Sequence, residues 1–213
     1  MGRIYDATWG RTFSALYDAG CKASEEAGLR EMRRELLAGA GGRVVELGAG
    51  TGANLGLYPD SIADLVLAEP DPHMTKRLRE RLADSGRAAQ IVAAPAERLP
   101  FEDDGFDTAV VTLVLCTVPD PVAAIAELAR VLKPGGQLLF IEHVRAKDPG
   151  LARWQDRFER PWRILADGCH CNRDTLSLIA ASNFEPGAVE HGELPKALPL
   201  VKPLIRGRAV LAG

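Results

Sequence analysis

The chain has no excess of positive charge. Its 26 Lys and Arg stand against 29 Asp and Glu, giving a formal net charge of −3 at pH 7. A nucleic-acid partner is held mainly by basic surface, so none is expected, and a small-molecule substrate fits better. Cysteine is scarce: Cys21, Cys116, Cys169 and Cys171 are the four, at spacings that make no disulfide framework. No secretory n-region or h-region accompanies them, so reduced thiols and a cytoplasmic location are expected. Long apolar runs are lacking as well. The longest, about Phe106 to Val118, is broken by Asp107 and threonines and falls short of the roughly 20 residues that span a bilayer, so no membrane anchor is expected. There is no internal repeat, low-complexity tract or Ser/Gly linker. The 213 residues read as one domain over 1–213, with 1–40 as an N-terminal helical cap. Nothing in the pattern speaks to oligomeric state.

What is present is an alternation. Short apolar runs (RVVEL, ADLVLAE, AAQIVAA, FDTAVVTLVL, GQLLFIEHV) are separated by helix-like stretches such as HMTKRLRERLADS and PVAAIAELARVL. That is the signature of βαβ units around a sheet buried on both faces. Two further β-like runs in the tail complete the expectation: an α/β, Rossmann-like, seven-stranded, mostly parallel sheet with helices on both faces and the last strand antiparallel. Helical periodicity also precedes the first strand, with Trp9, Phe13, Leu16 and Tyr17 on one stripe.

VVELGAGTGANL places Gly48, Gly50 and Gly52 directly after the first strand, where the pattern predicts the opening of a helix. Glycines let the chain turn tightly and let a ligand approach the backbone. Dinucleotide-binding domains begin in the same way, so NAD remains open at this point. Glu46, just inside the strand, would repel a pyrophosphate and suits a cationic amino-acid moiety. Glu69 ends the second strand and suits a pair of ribose hydroxyls, which serves NAD and S-adenosylmethionine (SAM) equally.

The order of these parts, followed by APAERLPFEDDGFD after the third strand and LKPGG before the fifth, resembles the class I SAM-dependent methyltransferases. The run VVTLVLCTVPDPVAAIAELARVLKPGGQLLFIEHV, followed by RPWRILADGCHCNRDT, goes further. Through Leu113 to Cys116, Glu142-His143-Val144, Pro161-Trp162, Asp167-Gly168-Cys169 and the loop Gly50 to Asn54, it resembles the thiol S-methyltransferases of the methyltransferase type 11 group. The resemblance implies an enzyme with SAM as cofactor, held by Glu46, Gly48, Gly50, Gly52, Asn54, Glu69, Pro70, Ala96, Glu97 and Leu113. It also implies a small apolar thiol as acceptor.

Ligands in open α/β sheets lie beyond the C-terminal strand ends, so residues after the fourth and fifth strands should face the reaction. His143 is the candidate base, because an imidazole is largely neutral at pH 7. Asp167 is the candidate to orient it, or else a helix cap. Trp9, Phe13, Cys116, Trp162 and Cys169 are expected at the acceptor, with Tyr17, Trp154 and Phe158 as further aromatics that could roof it. Cys169-His170-Cys171 offers C-x-C spacing with no second pair, so no metal site is expected. Two other readings stay open: C- or O-methylation of a quinone-like or phenolic acceptor, and a SAM- or NAD-binding module without chemistry.

Overall fold

The structure is a computed structural model that describes the backbone of residues 2–213 and the side chains of residue 12 and residues 14–213. Helix α1 (Gly2–Ser24) runs through a π-type turn, Glu25–Leu29, into α2 (Arg30–Leu37). The junction bends at Gly28, whose φ of 135° only glycine adopts readily. Then follow β1 (Arg43–Leu47), β2 (Asp64–Ala68), α3 (Pro72–Ser85), β3 (Gln90–Val92), β4 (Phe106–Thr112), α4 (Pro121–Val131) and β5 (Leu132–His143). The chain ends with α5 (Pro149–Leu165), α6 (Thr175–Ala180), β6 (Phe184–Glu193), a 3-10 turn at Pro199–Val201 and β7 (Pro203–Leu211).

Three helices start on the same dipeptide. Asp71, Asp120 and Asp148 each accept a backbone N–H of the first turn, and Pro72, Pro121 and Pro149 supply the preset φ of the next position. Gly86, at φ 66°, stops α3.

The seven strands are ordered β3-β2-β1-β4-β5-β7-β6. All pairs from β3 to β5 are parallel, and β7 lies antiparallel between β5 and β6. Each central strand is apolar on both faces. Val45, Val111 and Leu138 pack one way with Ile125 and Leu128 of α4, while Val44, Val110 and Leu139 pack the other way with Leu37 and Leu78. That two-sided burial is why the strands read as continuous apolar runs rather than alternating ones. Strand order reverses between β1 and β4, which opens a crevice at their C-terminal ends.

One expectation is corrected. The glycine loop does not open an α-helix: residues 50–57 form successive turns closed by three-residue bonds, Gly52 N–H to Ala49 O (2.8 Å), Leu55 to Gly52 (3.2 Å) and Leu57 to Asn54 (2.9 Å). Gly52 at φ 88° in the middle favours a turn over a helix. Among the described residues, no helix is long and apolar enough to cross a membrane.

Candidate active site

A cavity of about 520 Å³ occupies the crevice at the switch between β1 and β4. This size lies within the usual range for small-molecule sites. Residues that follow β1, β2 and β3 line it from one side of the switch, Gly48, Gly50, Glu69, Pro70, Ala96 and Glu97 among them. Residues after β4, at the end of β5, and within and after α5 line it from the other, namely Leu113, Cys116, His143, Trp162, Asp167 and Cys169.

The three loop glycines have different jobs. A Cβ on Gly48 would meet Val114 at 2.6 Å, and one on Gly52 would meet Leu55 at 2.7 Å and Leu78 at 2.9 Å. Both positions are closed by packing. Gly50, at φ 56°, would meet only Gly48 O at 3.9 Å, so its α-carbon is bare toward the cavity. The Gly50 N–H donates to Glu69 Oε2 (2.8 Å), and the Asp71 N–H donates to Glu69 Oε1 (2.9 Å). Glu69 is thus fixed across the loop, and burial raises its pKa above the ordinary carboxylate value. A carboxylate has about four acceptor positions, and these bonds occupy two.

Glu46, Gly52 and Asn54, expected at the cofactor, are not in the lining of this cavity. Glu46 is buried and accepts Tyr58 O–H at 2.7 Å and Asn54 Nδ2–H at 2.9 Å. Burial pushes its pKa up to about 7, against the lowering pull of those two bonds and of Arg33. Asn54 Oδ1 in turn accepts Arg33 Nη1–H at 3.1 Å, and the same nitrogen donates to Thr112 Oγ1 at 2.7 Å. Gly52 and Arg33 face an adjoining cavity of about 430 Å³. Glu46 and Asn54 therefore belong to a buried brace behind the glycine loop. Arg33, its cationic member, looked like one charge among many in REMRRELL.

On the acceptor side the key structural residue is Glu142. It is fully buried and accepts the backbone N–H groups of Val114 (2.8 Å), Leu115 (2.9 Å) and Cys116 (3.3 Å). That clamp shapes the loop after β4, whose first residue Leu113 has a φ of 61°, rare for a residue with a branched side chain. Arg173 donates to Leu115 O and Val118 O and ties the same loop to the segment after α5. Within this frame His143 Nε2 lies 2.9 Å from Cys169 Sγ, and Trp162 Nε1–H donates to the same sulfur at 3.2 Å. His143 Nδ1 is buried without a hydrogen-bond partner. Burial presses the imidazole pKa down, but the facing Cys116 and Glu142 press it up, and the net is above the ordinary histidine value. The Cys116 thiol is held well above its ordinary pKa by its hydrogen bond with Cys169 and by burial.

Several acceptor-side expectations change. Asp167, expected to orient the imidazole, reaches the cavity, while the contact of the ring is Nε2 to Cys169 Sγ. Trp154 and Phe158 are 55% and 37% exposed and stack on each other 5.2 Å apart, outside the cavity. Of the aromatic stripe, Tyr17 joins Trp162 in the lining, whereas Leu16 points to solvent. The side chains of Trp9 and Phe13 lie outside the described residues. The lining also includes Cys21, Asp71, Met74 and Val201, which no sequence pattern marked.

A glycine loop after β1, an acid after β2, and an antiparallel β7 inserted beside β5 together define a SAM-dependent methyltransferase. The residues present fit that cofactor: Gly50 leaves room for a ligand against the backbone, and Glu69 keeps acceptor positions for ribose hydroxyls. The comparisons agree. Residues 45–140 match the family described as "Methyltransferase domain". The chain is 39% identical over 181 residues to the thiol S-methyltransferase TMT1B of Homo sapiens, covering 82% of this chain and 73% of that protein. Among solved structures, a SAM-dependent methyltransferase of Thermotoga maritima, described as a possible histamine N-methyltransferase, superposes with a TM-score of 0.69 at 23% identity, over 94% of this chain and 97% of that one. Geranyl diphosphate methyltransferase in complex with SAM gives a TM-score of 0.66 at 15% identity, covering 88% and 86%. The chain belongs to the class I SAM-dependent methyltransferases of the type 11 group, and it is an enzyme that uses SAM.

Proposed function

We propose that the enzyme transfers the methyl group of SAM to the sulfur of a small apolar thiol. One observation carries the reading: the acceptor side of the cavity presents a buried imidazole, His143, beside the sulfurs of Cys116 and Cys169 and apolar side chains, with Asp167 also in the lining. A thiol has a pKa near ~8.5, so an imidazole suffices to remove its proton, and the thiolate is a strong nucleophile. An alcohol would need a far stronger base. Of the nearby carboxylates, Glu142 is committed to three backbone N–H groups. The name of the human relative, a thiol S-methyltransferase, points the same way.

When bound, SAM supplies an electrophilic methyl on a sulfonium. Gly50 and Glu69 hold its adenosine side, with Pro70, Ala96 and Glu97 along the same wall. Cys116, Trp162 and Cys169 position the acceptor, and His143 takes up the thiol proton at a ring nitrogen. Because attacking and leaving charges cancel, a closed apolar pocket favours the step, and alignment accounts for on the order of 7–11 kcal/mol of the barrier lowering. The reading takes 1–213 as one domain with 1–40 as its cap. Asp18 of α1 supports this, since it accepts Thr51 Oγ1–H (2.6 Å) and pairs with Arg81 of α3 (2.7 Å) beside the glycine loop.

The test is a panel of apolar thiols, phenols and quinols offered with methyl-labelled SAM. Turnover of thiols above the other classes is expected. Turnover of phenols or quinols with none of thiols would replace this reading by O- or C-methylation.

A further inference from the structure

The contiguous triplet Cys169-His170-Cys171 does not converge on one point. His170 Nδ1 pairs with Glu159 at 2.9 Å, and Cys171 Sγ faces Gln155 O at 3.5 Å. Three separate elements instead bring Cys116, His143 and Cys169 together, with all ligand atoms within 4.8 Å of one another. We propose that this cluster binds a thiophilic divalent cation, zinc, with its fourth position open to the cavity.

Two sulfurs and an imidazole are the donor set that zinc prefers, and three protein ligands with one open position is the pattern of reactive rather than structural zinc. Zinc bonds of ~2.3 Å to sulfur and ~2.0 Å to nitrogen put tetrahedral ligand atoms roughly 3.5–3.8 Å apart, inside the observed spread. All three residues are buried, and His143 Nε2, 2.9 Å from Cys169 Sγ, already points into the cluster. The outer shell is built as well. Trp162 N–H donates to Cys169 sulfur, which favours the thiolate a cation needs, and His170 N–H to Cys116 O (2.8 Å) locks the two cysteine loops together.

Coordination releases the two cysteine protons to solvent. An acceptor thiol in the fourth position would release its own proton in the same way, so the cation would take over the task assigned to the imidazole. That last part rests on the thiol reading; the cation site itself does not.

The metal-depleted full chain is titrated with cobalt(II) as a spectroscopic substitute for zinc. One equivalent is expected to give strong tetrahedral d–d bands and sulfur-to-cobalt charge transfer. Cys116→Ser and Cys169→Ser should each weaken binding by more than about tenfold and reduce the charge-transfer band. Cys171→Ala should bind as the wild type does. Calorimetric binding of S-adenosylhomocysteine verifies that each variant is folded, and His143→Gln stands in for any that is not. Absence of charge transfer in the wild type, or spectra unchanged by these substitutions, overturns the site. An apolar thiol should then shift the d–d bands. If the thiol is methylated and the bands stay still, the open fourth position is wrong. If the bands shift and no methylation follows, the cation site stands and the thiol S-methylation reading fails.

Discussion

Replacing Glu69 by alanine tests the cofactor site at its most exposed assumption. The carboxylate already accepts Gly50 and Asp71 N–H at 2.8 and 2.9 Å, and these bonds hold it across the glycine loop before any ligand arrives. Its remaining acceptor positions are the ones offered to two ribose hydroxyls. A hydrogen bond to a charged acceptor contributes about 1.5–3 kcal/mol, so the loss of even one corresponds to roughly 10- to 150-fold in affinity. Alanine also releases the two backbone N–H groups and loosens the loop, which adds to the loss. Glu69→Gln keeps one carbonyl acceptor and should fall between alanine and wild type. Isothermal calorimetry with S-adenosylhomocysteine near neutral pH reads all three proteins, with circular dichroism as the check on folding. A pH series adds a sign. Burial raises the Glu69 pKa, so affinity should decline on acidification at a higher pH than an ordinary glutamate of about 4.3 would impose. A folded Glu69→Ala protein whose Kd stays within about twofold of wild type would refute the assignment.

Gly50→Val should abolish SAM binding, because a branched side chain would stand where the ligand meets a backbone at φ 56°. Calorimetry on a folded variant checks it, and retained affinity would move the cofactor away from this loop. In the metal-free enzyme His143→Ala should slow thiol methylation by about 10- to 100-fold, with much of the loss recovered as pH approaches the thiol pKa. Initial rates across pH test this, since a defect that ignores pH would contradict proton removal by the imidazole. In the metal-free wild type the rate should rise as His143 deprotonates, above the ordinary histidine value of ~6.5, in a setting that also holds Cys116, Glu142, Cys169 and Arg173. Glu46 makes a stability prediction. Its folded pKa of about 7 exceeds the unfolded value, so the stability of its protonated form is complete below about pH 4 and lost as pH rises through 7, by at most about 3 kcal/mol. Glu46→Gln should therefore raise Tm at pH 8 and leave it nearly unchanged at pH 4, as thermal melts would record.

The sheet was legible because both faces of β1, β4 and β5 are buried, which turns each strand into an apolar run bounded by Asp-Pro or glycine punctuation. The positions of Gly50 and Glu69 followed from the same order of elements. The contacts of Glu46 were not legible, because its spacing from Gly48 puts it near the loop but does not say whether the strand aims it at the cavity or at Tyr58. Trp154 and Phe158 repeat at helical spacing, and that spacing identifies a face of α5 without saying which way the face points. Arg33 and the grouping of Cys116, His143 and Cys169 were invisible, since they depend on contacts between α2, two loops and a strand end that no local pattern encodes.

The acceptor atom is settled most directly by a single substrate that carries both candidates. Para-mercaptophenol presents a thiol and a hydroxyl at opposite ends of one ring. Incubated with methyl-labelled SAM and resolved by mass spectrometry and NMR, it should yield the S-methyl thioether with the hydroxyl untouched, because a thiol gives up its proton far more readily than a phenol of pKa near ~10. A product methylated on oxygen or on a ring carbon would contradict the proposed S-methyltransferase.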